Sequence, residues 1–159
     1  MAINPNTTFV AGAIYTAAEA NRFPRGIMAG VSSSTSYTLT TTMTQTTGMT
    51  LSFSAISGRF YKITYYEPQC QTPSSLAGFT NLKIFQTSTA GTQLQQGFVQ
   101  SSASSNTTGS PTISRVTQFS TGTITIIGAA SSSTTTGAPI LTRGATFEAQ
   151  LYVEDIGPA

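Results

Sequence analysis

Between residues 36 and 154 the apolar side chains of this chain recur at every second position in short runs, a spacing that selects β-strands over helix. The clearest run is the last. Phe147, Ala149, Leu151 and Val153 point to one side of it, and Glu148, Gln150, Tyr152 and Glu154 to the other. Met49, Leu51, Phe53 and Ala55 alternate with Thr50, Ser52 and Ser54 in the same way, and Tyr37, Leu39, Thr41 and Met43 do so more weakly. In the run from Arg59 to Tyr66 both faces are partly apolar, Tyr61, Ile63 and Tyr65 against Phe60 and Tyr66, as expected of a central strand covered on both sides. The strand candidates are 37–44, 49–56, 59–67, 79–87, 93–101, 112–119, 123–127 and 146–154. About eight strands at this spacing predict an all-β chain, an antiparallel β-sandwich of jelly-roll type.

The wet faces of those strands carry almost no charge. Charged residues make up 8% of the 159 positions, against roughly 25% in ordinary soluble domains. Ser and Thr together fill nearly a third of the chain, and β-branched Thr suits a pleated, half-exposed surface better than a helix. Strand edges with so little charge invite pairing with another chain, so self-association is expected. The seven cations are scattered, without a run that neutralises several phosphates, which argues against nucleic acid or an anionic membrane as partner. No apolar stretch reaches the roughly 18 residues of a spanning helix and the start lacks a basic signal region, so a soluble chain made in the cytosol is expected.

The first thirty residues read differently, as an arm (1–30) ahead of a sandwich domain (31–159). Phe9, Val10, Ile14 and Tyr15 are apolar without strand alternation, and Pro5 and Pro24 punctuate the segment. Thr16 and Glu19 stand at capping-box spacing, which predicts one short helix starting at Thr16, and Pro24 prevents it from running past Arg22. So short a helix is unstable alone, and its apolar flanks must dock on the chain's own sandwich or on a neighbour. Three low-complexity stretches, 32–36, 101–110 and 131–137, read as exposed loops.

Residues suited to catalysis are scarce. Histidine is absent, which removes the usual base of a nucleophilic triad, and Cys70 is the single cysteine, so neither an intrachain disulfide nor a metal or iron-sulfur centre is expected, and no cofactor. Cys70 itself reads as an inert, partly buried thiol. Five carboxylates remain, Glu19, Glu67, Glu148, Glu154 and Asp155, and a glycosidase needs only two at a set separation. Glu148 and Glu154 lie about 20 Å apart on one extended strand, and adjacent Glu154 and Asp155 point different ways. The sequons at Asn6 and Asn106 are given no role.

The motifs Phe9-Val10-Ala11-Gly12, Tyr15-Thr16-Ala17-Ala18-Glu19-Ala20-Asn21 and Phe23-Pro24-Arg25-Gly26 resemble a leader on small virion structural proteins of tailed bacteriophages. In that group a Thr-Ala-Ala segment, an Asn and a Pro-Arg-Gly turn precede a β-domain, and Tyr15 stands where the leader often has Leu. The closing segment from Leu151 to Ala159, and more loosely the central Tyr61-Lys62-Ile63-Thr64-Tyr65-Tyr66, look like the same group. The resemblance implies a virion component without catalytic residues, oligomeric and often trimeric, whose leader contacts the particle. The expected docking residues are Phe9, Val10, Ile14, Tyr15, Thr16, Glu19, Phe23, Pro24 and Arg25. The partners expected are copies of itself, other virion proteins and a host surface glycan, with tail or fibre placement first, capsid decoration second, and a carbohydrate-binding or carbohydrate-cleaving protein third.

Overall fold

The fold was obtained as a computed structural model, which describes residues 14, 16–21, 23–72, 78–100 and 108–159. Eight long strands carry it: β1 (Gly26–Ser33), β3 (Thr44–Ala55), β4 (Arg59–Tyr66), β6 (Phe79–Gln86), β7 (Gln93–Gln100), β9 (Thr112–Gln118), β10 (Gly122–Ser132) and β12 (Ala149–Pro158). They form two four-stranded sheets in the orders β1-β12-β4-β9 and β3-β10-β6-β7, with antiparallel pairing throughout. Counted along the chain, the long strands are arranged 1-8-3-6 facing 2-7-4-5, which is the strand order of a jelly roll.

The registers place the chain's connections at two opposite ends. Ser33 pairs with Ala149, Tyr66 with Gln150 and with Thr112, and Phe79 with Gln100, so every long connection leaves from one end. Each of these four connections contributes a two-residue strand: β2 (Tyr37–Thr38), β5 (Cys70–Gln71), β8 (Thr108–Gly109) and β11 (Ile140–Leu141), which pair as a small third sheet in the order β2-β11-β5-β8. The tight turns at 56–58, 87–92 and 119–121 lie at the other end, where the chain enters β1 and leaves β12.

Leu51 and Phe53 of β3, Ile63 of β4, Leu82 and Ile84 of β6, Ile126 of β10, and Leu151 and Val153 of β12 fill the space between the sheets. Phe53, Tyr61 and Phe119 stack at 5.1 to 6.0 Å between ring centroids, and the Ile56 amide donates to the Tyr61 hydroxyl at 2.8 Å, which ties this aromatic group to the β3–β4 turn. At one side β1 passes close to β3. A Cβ on Gly48 would lie 2.9 Å from the Ser33 Cβ, and its φ is +76°, so any other residue is strained there. Gly48→Ala is expected to cost about 1–2 kcal/mol in urea unfolding, with the fold retained.

The structure corrects several sequence expectations. Strand β1 starts at Gly26, inside the segment read as arm, and takes in Ser32 and Ser33 of the stretch read as loop. Its small residues, Gly-Ile-Met-Ala-Gly-Val-Ser-Ser, carry too little alternation to be seen. Of the predicted strand 37–44, Tyr37–Thr38 pairs as β2 and Thr44 opens β3, while between them the Thr40 hydroxyl donates to the Thr42 carbonyl at 3.1 Å and serves the backbone locally in place of a ladder. Strand β10 runs on through Ser132, its last residues Ala129, Ala130, Ser131 and Ser132 buried between β3 and β6. Phe147 is 44% exposed, since it precedes β12 and packs over Gly144 in a tight turn. The helix α1 (Ala17–Ala20) forms as expected with the Ala20 amide bonded to the Thr16 carbonyl at 3.0 Å. Most of the loop read at 101–110 lies outside the described residues.

Candidate interaction surface

Strand β4 organises the molecule from the inside. Its inward positions run Arg59, Tyr61, Ile63, Tyr65 and on to Glu67, so a charge lies at each end of an otherwise apolar and aromatic row, and both charges are buried. A buried charge is tolerated only when paired and hydrogen-bonded. Each of these two meets a bidentate partner from a distant part of the chain.

At the turn end, Arg59 Nε and Nη2 donate to the Asp155 carboxylate at 2.5 and 2.8 Å, and the amide of Gly157 adds a third bond to that carboxylate at 2.9 Å. Asp155 follows Ala149, Leu151 and Val153 at inward positions of β12, while Glu154 points outward to Lys62 at 3.6 Å. The remaining donors of Arg59 reach back to the arm: Nη1 to the Asn21 carbonyl at 2.5 Å and Nη2 to the Phe23 carbonyl at 2.6 Å. These carbonyls belong to the segment just after α1, where the helix leaves its last acceptors unsatisfied. The root of the arm is therefore bolted to the sandwich by a side chain whose own charge is neutralised within the core.

Of the docking residues expected from the sequence, Phe9, Val10 and Tyr15 lie outside the described residues, as does the side chain of Glu19. Ile14 is 86% exposed, Thr16 and Pro24 are exposed, and Phe23 is half-buried at the root. Arg25 is exposed and donates to the Asn21 side-chain oxygen at 3.3 Å. Arg59 and Asp155, which hold the root, were not among the docking residues expected from the sequence. The signal was present, since both stand at core-facing positions of alternating strands.

At the loop end, Arg143 holds Glu67 through Nε and Nη2 at 3.0 and 2.6 Å, and its Nη1 reaches the carbonyls of Thr47 and Thr35 at 2.8 and 3.2 Å. The Tyr65 hydroxyl donates to Glu67, and the Thr46 hydroxyl lies 2.9 Å from the Tyr65 oxygen and 3.3 Å from the Gly128 carbonyl. Two connections and the first part of β3 are thus fastened to the end of β4 by one guanidinium. Burial opposes the charge of Arg143, but the hydrogen bonds to Glu67 and its negative charge outweigh that and raise the group above its ordinary value. Burial, then the charge of Glu67 and the hydrogen bond to it, hold the Tyr65 hydroxyl well above the ordinary tyrosine range. Burial, aided by Glu67, pushes the nearby Cys70 thiol up to about 11.

A raised thiol value makes stability fall in alkali, because above about pH 9 the unfolded chain releases a proton that the folded chain keeps. Urea unfolding is expected to show a loss of about 2–3 kcal/mol as pH rises from about 9 to about 11, and Cys70→Ala is expected to remove that part of the slope.

The outer face of the β1-β12-β4 sheet carries a shallow groove of about 530 Å3, lined by Ile27, Gly30 and Ser32 of β1 and by Gln150, Tyr152 and Glu154 of β12, with Glu148 at its loop end. Ile27 is 70% exposed beside it. Tyr66 lies on the same face, opposite Gln150, so Tyr66 and Tyr152 share one surface. Between them Thr64 is buried, its hydroxyl without a partner among the described residues. The other sheet exposes a second aromatic patch, where Phe79 and Phe98 meet edge to face at 5.3 Å with Phe98 58% exposed.

No family model matches the chain, and no curated protein does. Among solved structures it is similar to the VP2 subviral particle of infectious bursal disease virus, with a TM-score of 0.38 and 12% identity over 85% of this chain and 38% of that one. The structure of the Gt strain of the same virus gives 0.36 and 12% over 98% and 41%, and that of the Gx strain 0.34 and 14% over 98% and 43%. The chain spans about two fifths of the length of these structures. The jelly-roll assignment rests on the strand order itself.

Proposed function

We propose that this chain is a non-enzymatic virion structural protein of the tail-associated or fibre type found on tailed bacteriophages, joined to its particle by the N-terminal arm and associated with two further copies of itself. The observation that carries this reading is the hold of Arg59 on the arm root. A buried ion pair fixes where a segment with few charges leaves the sandwich, while Ile14 ahead of the root stands exposed. Two of the four carboxylates whose side chains are described support it: Glu67 and Asp155 are buried in bidentate arginine pairs, a use that rigidifies. The leader resemblance of residues 9–26 points the same way.

Gold labelling of purified particles with an antibody to the sandwich is expected to mark the tail. Label on the shell would move the chain to capsid decoration, and a chain found only free in lysate would end the virion reading. Removal of residues 2–20, which spares both carbonyls held by Arg59, is expected to leave a folded domain absent from particles. A second reading, glycan binding, is favoured by Phe79 and Phe98 beside the amides of Asn81 and Gln100. It requires saturable glycan affinity that Phe98→Ala abolishes.

A further inference from the structure

We infer that the groove over β1 and β12 receives the N-terminal arm of a second copy of this chain. The inference rests on the assembly reading above and names its contact. The groove needs an occupant that is apolar at its centre and hydrogen-bonding at its rim. Gly30 leaves its floor open beside Tyr152, and Ser32, Gln150 and Glu148 surround it, Glu148 without an ion pair among the described residues. Residues 1–16 have that chemistry: no charged side chain, with Phe9, Val10 and Ile14 for the floor and Asn4, Asn6, Thr7 and Thr8 for the rim.

Length and position favour a neighbour's arm. The thirteen residues ahead of Ile14 span roughly 40 Å when extended, whereas the stretch of groove from Ile27 to Ser32 is roughly 17 Å long. Enough chain remains to cross from one sandwich to the next. The chain's own sandwich leaves Ile14 exposed, so the arm does not turn back onto it at this point. The groove starts at Ile27, directly after the acceptor's own arm root, so an arm seated there continues the surface formed by the next arm's base. Such a contact joins two different patches, so copies related by it follow one another head to tail, and a rotation that closes makes them a ring.

The test mixes full-length Val10→Cys with full-length Gln150→Cys under mild oxidation, Cys70 being buried and out of competition. The expected result is a covalent dimer that contains one copy of each variant. A bond that forms only within the doubly substituted chain would overturn the inference in favour of the chain's own arm. No bond in either arrangement, with the unmodified chain still sedimenting as an oligomer, would overturn the groove assignment and leave the assembly reading intact. A monomer at every concentration would end both. Gly30→Leu provides an independent arm, because the nearest atom to an added Cβ is 3.5 Å away and the fold accepts it. It is expected to weaken assembly at least ~10-fold, and a folded Gly30→Leu that assembles like the unmodified chain would contradict the inference.

Discussion

Glu67→Leu is expected to lower the free energy of unfolding by about 3–5 kcal/mol, because it leaves the Arg143 guanidinium buried against Tyr65 and two backbone carbonyls with no counter-charge. In a chain of this size that corresponds to a fall in Tm of about 6 to 20 °C. The effect should be local before it is global. Thr35 and Arg143 belong to separate connections at the loop end and Thr47 to β3, and the guanidinium that binds both carbonyls is itself held by this one carboxylate. Cys70 lies in the small sheet that the connections form at this end, so its reaction with an aromatic disulfide reagent reports opening there. In the unmodified chain labelling should track global unfolding, and in Glu67→Leu it should run ahead of it. The double variant Glu67→Leu with Arg143→Met should recover part of the loss, since a hydrophobic pair of similar volume replaces the ionic one. Equal stability of Glu67→Leu and the unmodified chain would show that the pair does not hold the loops.

Arg59→Met should have a comparable cost for the sandwich and a separate effect on the arm. Asp155 stays buried with only the Gly157 amide as a donor, which again implies a loss of about 3–5 kcal/mol. The carbonyls of Asn21 and Phe23 lose their anchors at the same time. Trypsin should then cut at Arg22 and Arg25 many times faster than in the unmodified chain, at urea concentrations where the sandwich remains folded. Asp155→Asn separates the two effects, since it weakens the ion pair while Arg59 keeps its bonds to the arm. If Arg59→Met destabilises the sandwich without speeding cleavage, the arginine is a core residue only and the root is held by something else.

Alternation made the core readable from the sequence. Met49, Leu51, Phe53 and Ala55 are all buried, as are Tyr61, Ile63 and Tyr65, and the last strand turns Ala149, Leu151 and Val153 inward as its pattern requires. The strands that escaped notice are β1, whose Ile27, Met28 and Val31 show no alternation among its small residues, and the end of β10, which is built from glycine, alanine and serine. Such residues pair by backbone alone and leave no trace of apolar period. The low charge pointed correctly to a β-rich chain but hid how the few charges are used. Read by register, Arg59, Glu67 and Asp155 sit where core residues belong, and a charge at such a position signals a buried partner elsewhere in the chain. No local spacing reveals that the partner of Glu67 is Arg143, because only the jelly-roll crossing brings those two connections together.

The central claim is that the arm, placed by Arg59, drives association through apolar and backbone contacts, with charge playing little part. Sedimentation of the full chain at about 50 mM and about 500 mM salt tests it directly, since surface charge contacts are screened over that range and apolar burial is not. One defined oligomer of unchanged mass is expected at both salt concentrations, and a monomer when residues 2–20 are removed. An oligomer that dissolves in salt, or one that persists without the arm, would contradict it.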